Sequence, residues 1–455
     1  MGTEAFLIIF MAFWAIITLV PLLFRRFHIP AVIVLLVTGM VIGPNGLGLL
    51  QFLSTHLNFL GVPPEIIRAH SLTMVNSLGS LGLVFLMALA GLEADFKLIN
   101  SVRKPTILLS VLTFLLPALS GYFVYSYFEA DDFPGKLLYA SLFASHSVGI
   151  VFPVIRELKL VKSRFGAAVL ISTVITDIGS IILLAVSVQL KRQAMAADST
   201  GQIKSLSLFD YVDPGIFGNW FLAVFLGIAL LYMGFSCYFV HKLGSRVLQW
   251  LGPGEDALIT FFLFIVMLTV MVGEFLGINL VVGAFIAGLG LSKVVRSMGA
   301  NAPIFSKLEG IGYSFLIPFL FISIGMRTDF TLLFHSYANL EIILLTVVGL
   351  VVSKVFSGWL AMRLSGFSSA KGLCAGLMTV PQLSATLAAA AIGKDLGMLS
   401  DDFFNAIVVL SIITTLPIPN LVRMVIERGK LQFKEIESDV VVYQVPEDTD
   451  QDELL

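Results

Sequence analysis

The sequence predicts an all-α polytopic membrane protein with about thirteen transmembrane helices arranged in inverted repeats. Two of these helices are expected to be discontinuous and to cross each other. Hydrophobic residues make up 57% of the 455-residue chain and charged residues 13%, about half the charged share of a soluble domain. The mean hydropathy is +0.96, and apolar segments of membrane-spanning length follow one another with short turns between them. The sequence has no basic stripe and no interleaving of basic and aromatic residues, so no nucleic-acid partner is expected.

The apolar segments and the basic residues between them predict a topology. The segments are approximately 5–24, 29–48, 72–93, 105–128, 136–155, 164–190, 216–240, 255–273, 277–291, 308–326, 339–362, 370–393 and 402–425. With the N-terminus outside, 20 of the 28 Lys and Arg residues fall on cytoplasmic loops, seven on outer loops and Lys354 within the membrane. Because positive charge concentrates on the cytoplasmic side, we expect an outside N-terminus and a cytoplasmic C-terminus, in a bacterial inner membrane.

Asp177 is the carboxylate at the centre of one apolar run, residues 164–190. At about 1.5 Å per residue this run crosses a bilayer, so the carboxylate falls near the midplane. A charge at that depth costs at least ~2.5 kcal/mol on insertion scales, which favours a functional role. We expect Asp177 to bind a proton and a small monovalent cation in turn; the alternative is a buried aspartate with a structural hydrogen bond.

Two apolar segments, 136–155 and 370–393, carry polar residues and proline at mid-depth and are poorly suited to continuous helices. Proline removes a main-chain hydrogen bond, and glycine and hydroxyl residues tolerate unwound backbone. The residues assigned to the two breaks are Ser145, His146, Ser147, Gly149, Thr379, Pro381, Gln382 and Ser384. The segments stand seven helices apart, an odd offset that reverses direction as an inverted repeat requires, and paired breaks of this kind indicate a transporter's binding site. Kinked helices in a packed bundle are the alternative.

Two other titratable residues lie at membrane depth. Lys354 is assigned to charge compensation, either of Asp177 or of a helix C-terminus, although it could also extend towards the cytoplasmic interface. His146, in the first break, is of the residue type that changes charge near neutral pH. It could sense pH or be a hydrogen-bonded packing residue.

The remaining features indicate neither an enzyme nor a cofactor. Cys237 and Cys374 lie in apolar segments, where small core residues are expected rather than a disulfide or metal ligands. No HExxH motif and no credible Ser-His-Asp set occurs, so no enzymatic chemistry and no cofactor is expected. The loop 191–215 is polar, and the acidic tail 431–455 is expected to be disordered or to contact a partner loosely.

Five motifs in order resemble the cation:proton antiporter-2 family, which includes the Kef-type and NapA-like exchangers. They are IGPNGLGLL (42–50), VFLMALAGLEAD (84–95), STVITDIGSIILLA (172–185), LGINLVVGAFIAGLGLS (276–292) and PFLFISIGMRTD (318–329). The resemblance covers nearly the whole hydrophobic chain. It implies a NapA/NhaA-like antiporter fold.

The resemblance also implies a domain organisation for the membrane part, residues 1–430. A mobile core, about 105–190 and 339–425, would move against a scaffold formed by the remainder, and the scaffold would form a homodimer. Kef-type proteins add a nucleotide-binding regulatory domain. No G-x-G-x-x-G sequence after a strand indicates one here, so no dinucleotide partner is expected.

The resemblance assigns Asp177 as the carboxylate shared by cation and proton, and Thr176 and Ser147 accompany it as the expected cation- and proton-binding residues. Electrogenic relatives carry two adjacent acids at this point, whereas this chain has Thr176 before Asp177. The family's membrane lysine matches Lys354, which therefore lacks the first acid as a partner. A single titrating carboxylate favours one proton per monovalent cation.

The expected function is therefore antiport of a monovalent cation, Na⁺ before K⁺ or Li⁺, against H⁺ by electroneutral alternating access across the lipid bilayer. The alternative is a sodium-coupled symporter of an organic anion on the same broken-helix architecture. A gated cation channel is disfavoured because no carbonyl-filter sequence such as TVGYG occurs.

Overall fold

The regular elements in the described part of the computed structural model are helices. The described residues are 3–24, 31–44, 63–93, 102–147, 151, 154–155, 158, 160, 163–198, 220–251, 255–297, 304–328, 337–415, 417–429 and 431–433. Within these residues, nine helices are long and apolar enough to cross a membrane, and further apolar helices are shorter.

The helix order reproduces the predicted order of segments. The helices are α1 (Thr3–Phe24), α2 (Ala31–Ile42), α3 (Pro64–Glu93), α4 (Arg103–Phe128), α5 (Phe133–Ala144), α6 (Arg164–Asp198), α7 (Phe221–Leu251), α8 (Glu255–Phe275), α9 (Leu280–Ser297), α10 (Ile304–Ile311), α11 (Ile317–Met326), α12 (Tyr337–Leu364), α13 (Ser369–Met378), α14 (Ser384–Asp395), α15 (Asp401–Thr415) and α16 (Ile418–Arg428). A π-helical turn, Gly312–Leu316, joins α10 to α11. Each of the thirteen predicted segments coincides with one or two of these helices, which confirms the all-α polytopic fold.

Some helix ends differ from the predicted segment bounds. Helix α3 begins at Pro64 rather than near residue 72, and α6 continues to Asp198, into the predicted polar loop 191–215. Hydropathy marks the apolar span and not the end of the helix, because the helical hydrogen bonds are made within the segment and continue where side chains become polar. The rest of that loop and the acidic tail beyond Phe433 lie outside the described residues.

The helices pack in two sets. In the first set, α3 packs against α9 and α11, α2 packs against α11, and α9 packs against α7 and α8. In the second set, α4 packs against α5, α6 and α12, α12 packs against α13 and α15, and α14 packs against α5 and α15. Contacts between the sets are sparse and fall mainly where α6 approaches α7 and α9 and where α14 approaches α3.

Ion pairs also connect the two sets. Nη2 of Arg192 on α6 lies 3.4 Å from Oε2 of Glu274 on α8, and Nη1 of Arg327, just after α11, lies 2.5 Å from Oδ1 of Asp395 on α14. Partly exposed pairs of this kind contribute about 0–1 kcal/mol each. These ion pairs add to the buried apolar side chains, which form one continuous cluster across both sets.

Glycines allow close helix contacts inside each set. A Cβ atom on Gly288 of α9 would lie 1.9 Å from the carbonyl oxygen of Ala88 on α3. In the second set, a Cβ atom on Gly358 of α12 would lie 2.4 Å from Cα of Gly376 on α13. Small residues at membrane helix contacts let the backbones touch, so α12, which carries Lys354, is held closely against α13.

Candidate ion-binding site

The first predicted break lies directly after α5. The carboxylate of Asp132 caps the start of this helix by accepting a hydrogen bond from Gly135 N–H at 3.2 Å. The helix ends at Ala144, and Ser145 is extended with φ −63° and ψ 160°. Residues 145–147 are not helical, whereas Gly149 lies outside the described residues. The Ser145 hydroxyl donates to the carbonyl of Leu142 at 3.0 Å, so a side chain satisfies one of the carbonyls left free at the helix end.

The second predicted break lies between α13 and α14. Helix α13 ends at Met378, and the Thr379 hydroxyl donates to the carbonyl of Gly376 at 2.7 Å. Pro381 stands in the non-helical stretch, where its missing N–H needs no helical partner. Helix α14 then begins at Ser384. Both interrupted segments are thus broken helices rather than kinked ones.

The two breaks cross and contact each other through polar groups. Nε2 of Gln382 in the second break donates to the carbonyl oxygen of Ser145 in the first break at 2.9 Å. The Ser145 hydroxyl lies 3.1 Å from Oε1 of Gln382 and 2.8 Å from the hydroxyl of Thr386, which also donates to that oxygen. The side chains of Ser145, Gln382 and Thr386 are buried. Two residues assigned from sequence, Ser145 and Gln382, therefore form the contact at the crossing.

Asp177 lies on α6 against the first break. Its side chain is 5% exposed, and its Oδ1 atom accepts a hydrogen bond from the main-chain N–H of His146 at 3.0 Å. Among the described residues no donor is bonded to Oδ2. The carboxylate is therefore anchored at one oxygen, and the other oxygen has no described protein partner.

Thr176, which precedes Asp177, contacts the same broken segment. Its hydroxyl oxygen lies 2.5 Å from Nδ1 of the His146 ring. Consecutive residues of α6 thus hold both the main chain and the side chain of His146. Ser147, the next residue of the break, is buried as well.

Lys354 on α12 reaches the C-terminal end of α5. Its side chain is fully buried, and Nζ donates to the carbonyl oxygens of Ala144 at 3.1 Å and Ser145 at 2.6 Å. A helix C-terminus carries partial negative charge, which an ammonium group offsets. Among the described residues no ion pair joins Lys354 to Asp177. Of the two partners considered from the sequence, Asp177 and a helix C-terminus, the structure shows contact with the helix C-terminus.

Two buried polar groups of the first break have no protein partner. Nε2 of His146 and Oγ of Ser147 are buried and make no hydrogen bond within the described structure. Buried polar atoms in native proteins are bonded to protein, water or a bound ion in the great majority of cases. Carboxylate, hydroxyl and carbonyl oxygens suit a hard cation, and in the described part of the chain no group of three or more His, Cys, Asp and Glu residues could hold a metal ion. Both cysteines are free thiols.

Two hydroxyl residues of the crossing are absent from the site assigned by sequence. Thr386 bonds both Ser145 and Gln382, and the Thr414 hydroxyl on α15 accepts a hydrogen bond from the main-chain N–H of Gln382 at 3.3 Å. Thr386 belongs to the same mid-depth polar stretch of segment 370–393 and could have been included on that ground. Nothing in the sequence marks Thr414 as a residue of the crossing, because hydroxyl residues are common in membrane helices.

A buried carboxylate bonded to one of two broken helices that contact each other is typical of a secondary transporter of small ions. A family model described as "Sodium/hydrogen exchanger, transmembrane" matches residues 14–426. The chain belongs to this sodium/hydrogen exchanger family, as the resemblance of the motifs implies.

Individual relatives cover nearly the whole chain. "Probable Na(+)/H(+) antiporter 3" of Methanocaldococcus jannaschii is 34% identical over 420 residues, which are 92% of this chain and 96% of the relative. "Na(+)/H(+)-K(+) antiporter GerN" of Bacillus cereus is 26% identical over 396 residues, 87% of this chain and 89% of the relative. These relatives are named as antiporters, so they lend no support to the symport alternative.

A solved structure shares the fold. The sodium proton antiporter MjNhaP1 from Methanocaldococcus jannaschii matches at a TM-score of 0.62 with 17% identity, covering 95% of this chain and all of the other. A second structure of that protein, at pH 8, matches at a TM-score of 0.57 with 14% identity, covering 93% and 97%. At this identity the likeness concerns the fold alone. It agrees with the antiporter fold expected from sequence.

Proposed function

We propose that this chain is a secondary antiporter that exchanges Na⁺, with K⁺ or Li⁺ as alternative ions, for H⁺ at the single carboxylate of Asp177. The observation that carries the proposal is the position of this buried carboxylate, anchored at one oxygen to the crossing of two broken helices. The relatives named as Na⁺/H⁺ and Na⁺/H⁺-K⁺ antiporters support the same pair of ions.

The mechanism is competition between a proton and a cation. The free oxygen of Asp177 accepts either, and the Ser147 hydroxyl and the unwound main chain supply further oxygens to the cation. An empty charged carboxylate crosses a low-dielectric barrier at high cost, whereas a protonated or cation-loaded one is neutral overall. This difference couples the two fluxes.

Lys354 supplies fixed charge compensation in this mechanism. Its ammonium group bonds the carbonyl end of α5 instead of a carboxylate, and Thr176 stands where a second acid would be needed for a two-proton cycle. Asp177 is then the one group that exchanges its proton for a cation. Exchange of one proton per monovalent cation is electroneutral.

Alternating access would come from movement of a core, about residues 105–190 and 339–425, against the remaining helices. The sparse contacts between the two helix sets support this division, because the second set covers most of the residues of the proposed core. A homodimer formed through the scaffold, with the N-terminus outside and the C-terminus in the cytoplasm of a bacterial inner membrane, completes the proposal. The distribution of basic residues supports that orientation.

The test is cation-induced dissipation of a preset pH gradient in proteoliposomes, with Na⁺, Li⁺ and K⁺ added separately. We expect dissipation by Na⁺ at a rate that is the same with the membrane potential clamped and unclamped. A rate that follows the potential would contradict electroneutral exchange and would require a second proton carrier. No proton movement with any of the three ions would overturn the antiporter assignment.

A further inference from the structure

The hydrogen bond between Thr176 and His146 is not used by the exchange mechanism described above. Both side chains are buried, and the Thr176 hydroxyl oxygen lies 2.5 Å from Nδ1 of the ring. The same hydroxyl lies 3.0 Å from the carbonyl oxygen of Ser172 and 2.9 Å from that of Thr173, one turn earlier on α6. Two main-chain acceptors and one ring nitrogen therefore share a single hydroxyl group.

The chemistry of these partners decides where the protons are. A hydroxyl group has one proton to donate, and carbonyl oxygens can only accept. When the Thr176 proton is given to a helix carbonyl, as is common for threonine within a helix, the hydroxyl oxygen can accept a proton from Nδ1–H of His146. The imidazole is then neutral, with its proton on Nδ1 and a bare Nε2, the ring atom that has no partner in the described structure.

His146 is thereby held to α6 at two points. In this tautomer its ring donates to Thr176, and in either tautomer its main-chain N–H donates to Oδ1 of Asp177 at 3.0 Å. The charged groups that face it are the Asp177 carboxylate from α6 and the Lys354 ammonium from α12, which bonds the carbonyl groups just before it. Because the positive charge of Lys354 is close to His146, a neutral imidazole avoids placing a second positive charge beside it.

We infer that Thr176 and His146 are a positioning pair. The pair keeps the main-chain N–H of His146 directed at Asp177 and so sets the affinity for the cation relative to the proton. The inference rests on the proposed exchange at Asp177. A donor held against Oδ1 stabilises the charged carboxylate of the cation-loaded state and matters little to the protonated state. Losing the pair therefore weakens cation binding without removing the exchanging group.

The first test compares Thr176→Val, which removes the hydroxyl at nearly constant shape, with Thr176→Ser, which retains it. We expect Thr176→Val to raise the apparent KM for Na⁺ about five-fold, the size of one net hydrogen bond, and to move the optimum of exchange to higher pH. The maximal rate should stay within about two-fold and Thr176→Ser should resemble wild type, because the exchanging carboxylate is intact. An unchanged KM and pH profile in Thr176→Val would overturn the inference.

The second test distinguishes the two ring nitrogens of His146. His146→Asn places an amide N–H near the position of Nδ1, whereas His146→Gln places it near that of Nε2. We expect the Asn variant to retain the wild-type KM for Na⁺ and the Gln variant to behave like Thr176→Val. The reverse pattern would show that Nε2 is the acting group and would overturn the inference.

The His146 variants also carry the test if Thr176→Val does not fold, as judged by gel filtration in detergent. The inference and the proposed function fail in distinguishable ways. If the wild-type protein shows no Na⁺-driven proton flux, exchange itself is wrong. If wild-type flux is present and Thr176→Val matches it in KM and pH optimum, the positioning pair alone is wrong.

Discussion

Asp177→Asn is expected to abolish cation/proton exchange while leaving the fold intact. The amide keeps the size of the side chain and its oxygen can still accept from His146 N–H, but it neither takes up a proton near neutral pH nor carries the negative charge that holds a cation. The loss should be complete within the sensitivity of a proteoliposome assay, at least about 100-fold, because no other carboxylate lies at the crossing among the described residues.

A carboxylate elsewhere provides the matched control. Glu341→Gln removes the charge of an exposed carboxylate on α12 and should leave the exchange rate within about two-fold of wild type. Gel filtration and thermal unfolding in detergent establish that both variants are folded. Wild-type exchange by a folded Asp177→Asn protein would remove the basis of the site assignment.

Lys354→Met is expected to have the second largest effect. The fully buried ammonium donates to two carbonyl oxygens at the end of α5, and a methionine of similar length leaves both without that partner. Leaving a buried acceptor without its donor costs about 1–3 kcal/mol. We therefore expect a clear fall in the unfolding temperature and a decrease in exchange of at least about ten-fold, while Lys242→Met, at an exposed lysine on α7, changes neither.

A double variant separates the two partners considered for Lys354. If the ammonium group mainly stabilises the helix end, Lys354→Met should lower the free energy of unfolding equally in wild type and in Asp177→Asn, within about 0.5 kcal/mol. If it mainly neutralises Asp177, removing that charge first would largely cancel the effect of Lys354→Met. The second result would contradict the contact seen in the structure.

The sequence was sufficient for the helices, the breaks and the central carboxylate because each leaves a local pattern. Apolar runs of membrane length predict the thirteen segments, and Pro381 with its neighbours predicts the second break. Asp177 is conspicuous because a carboxylate in the middle of an apolar run is rare. These features depend on a few consecutive residues, so no knowledge of the tertiary structure is needed.

The contacts of the site could not be read from the sequence because they join distant residues. Gln382 bonds Ser145 across 237 positions of the chain, and Lys354 bonds Ser145 across 209. Whether Lys354 bonds a carboxylate or a helix end depends on how far its side chain reaches at the crossing. A hydropathy pattern gives no information about such three-dimensional distances. The polar continuation of α6 was missed for the related reason that a membrane helix does not stop where its apolar span stops.

The central claim is that one proton and one cation compete for Asp177. Its most direct test is to measure the apparent KM for Na⁺ as a function of pH in proteoliposomes. On the acidic side of the optimum, competition predicts that KM falls ten-fold for each unit of rising pH while the maximal rate stays constant. The logarithm of KM plotted against pH then has a slope of −1. A slope of −2, or a KM independent of pH, would contradict exchange of one proton for one cation at a single carboxylate.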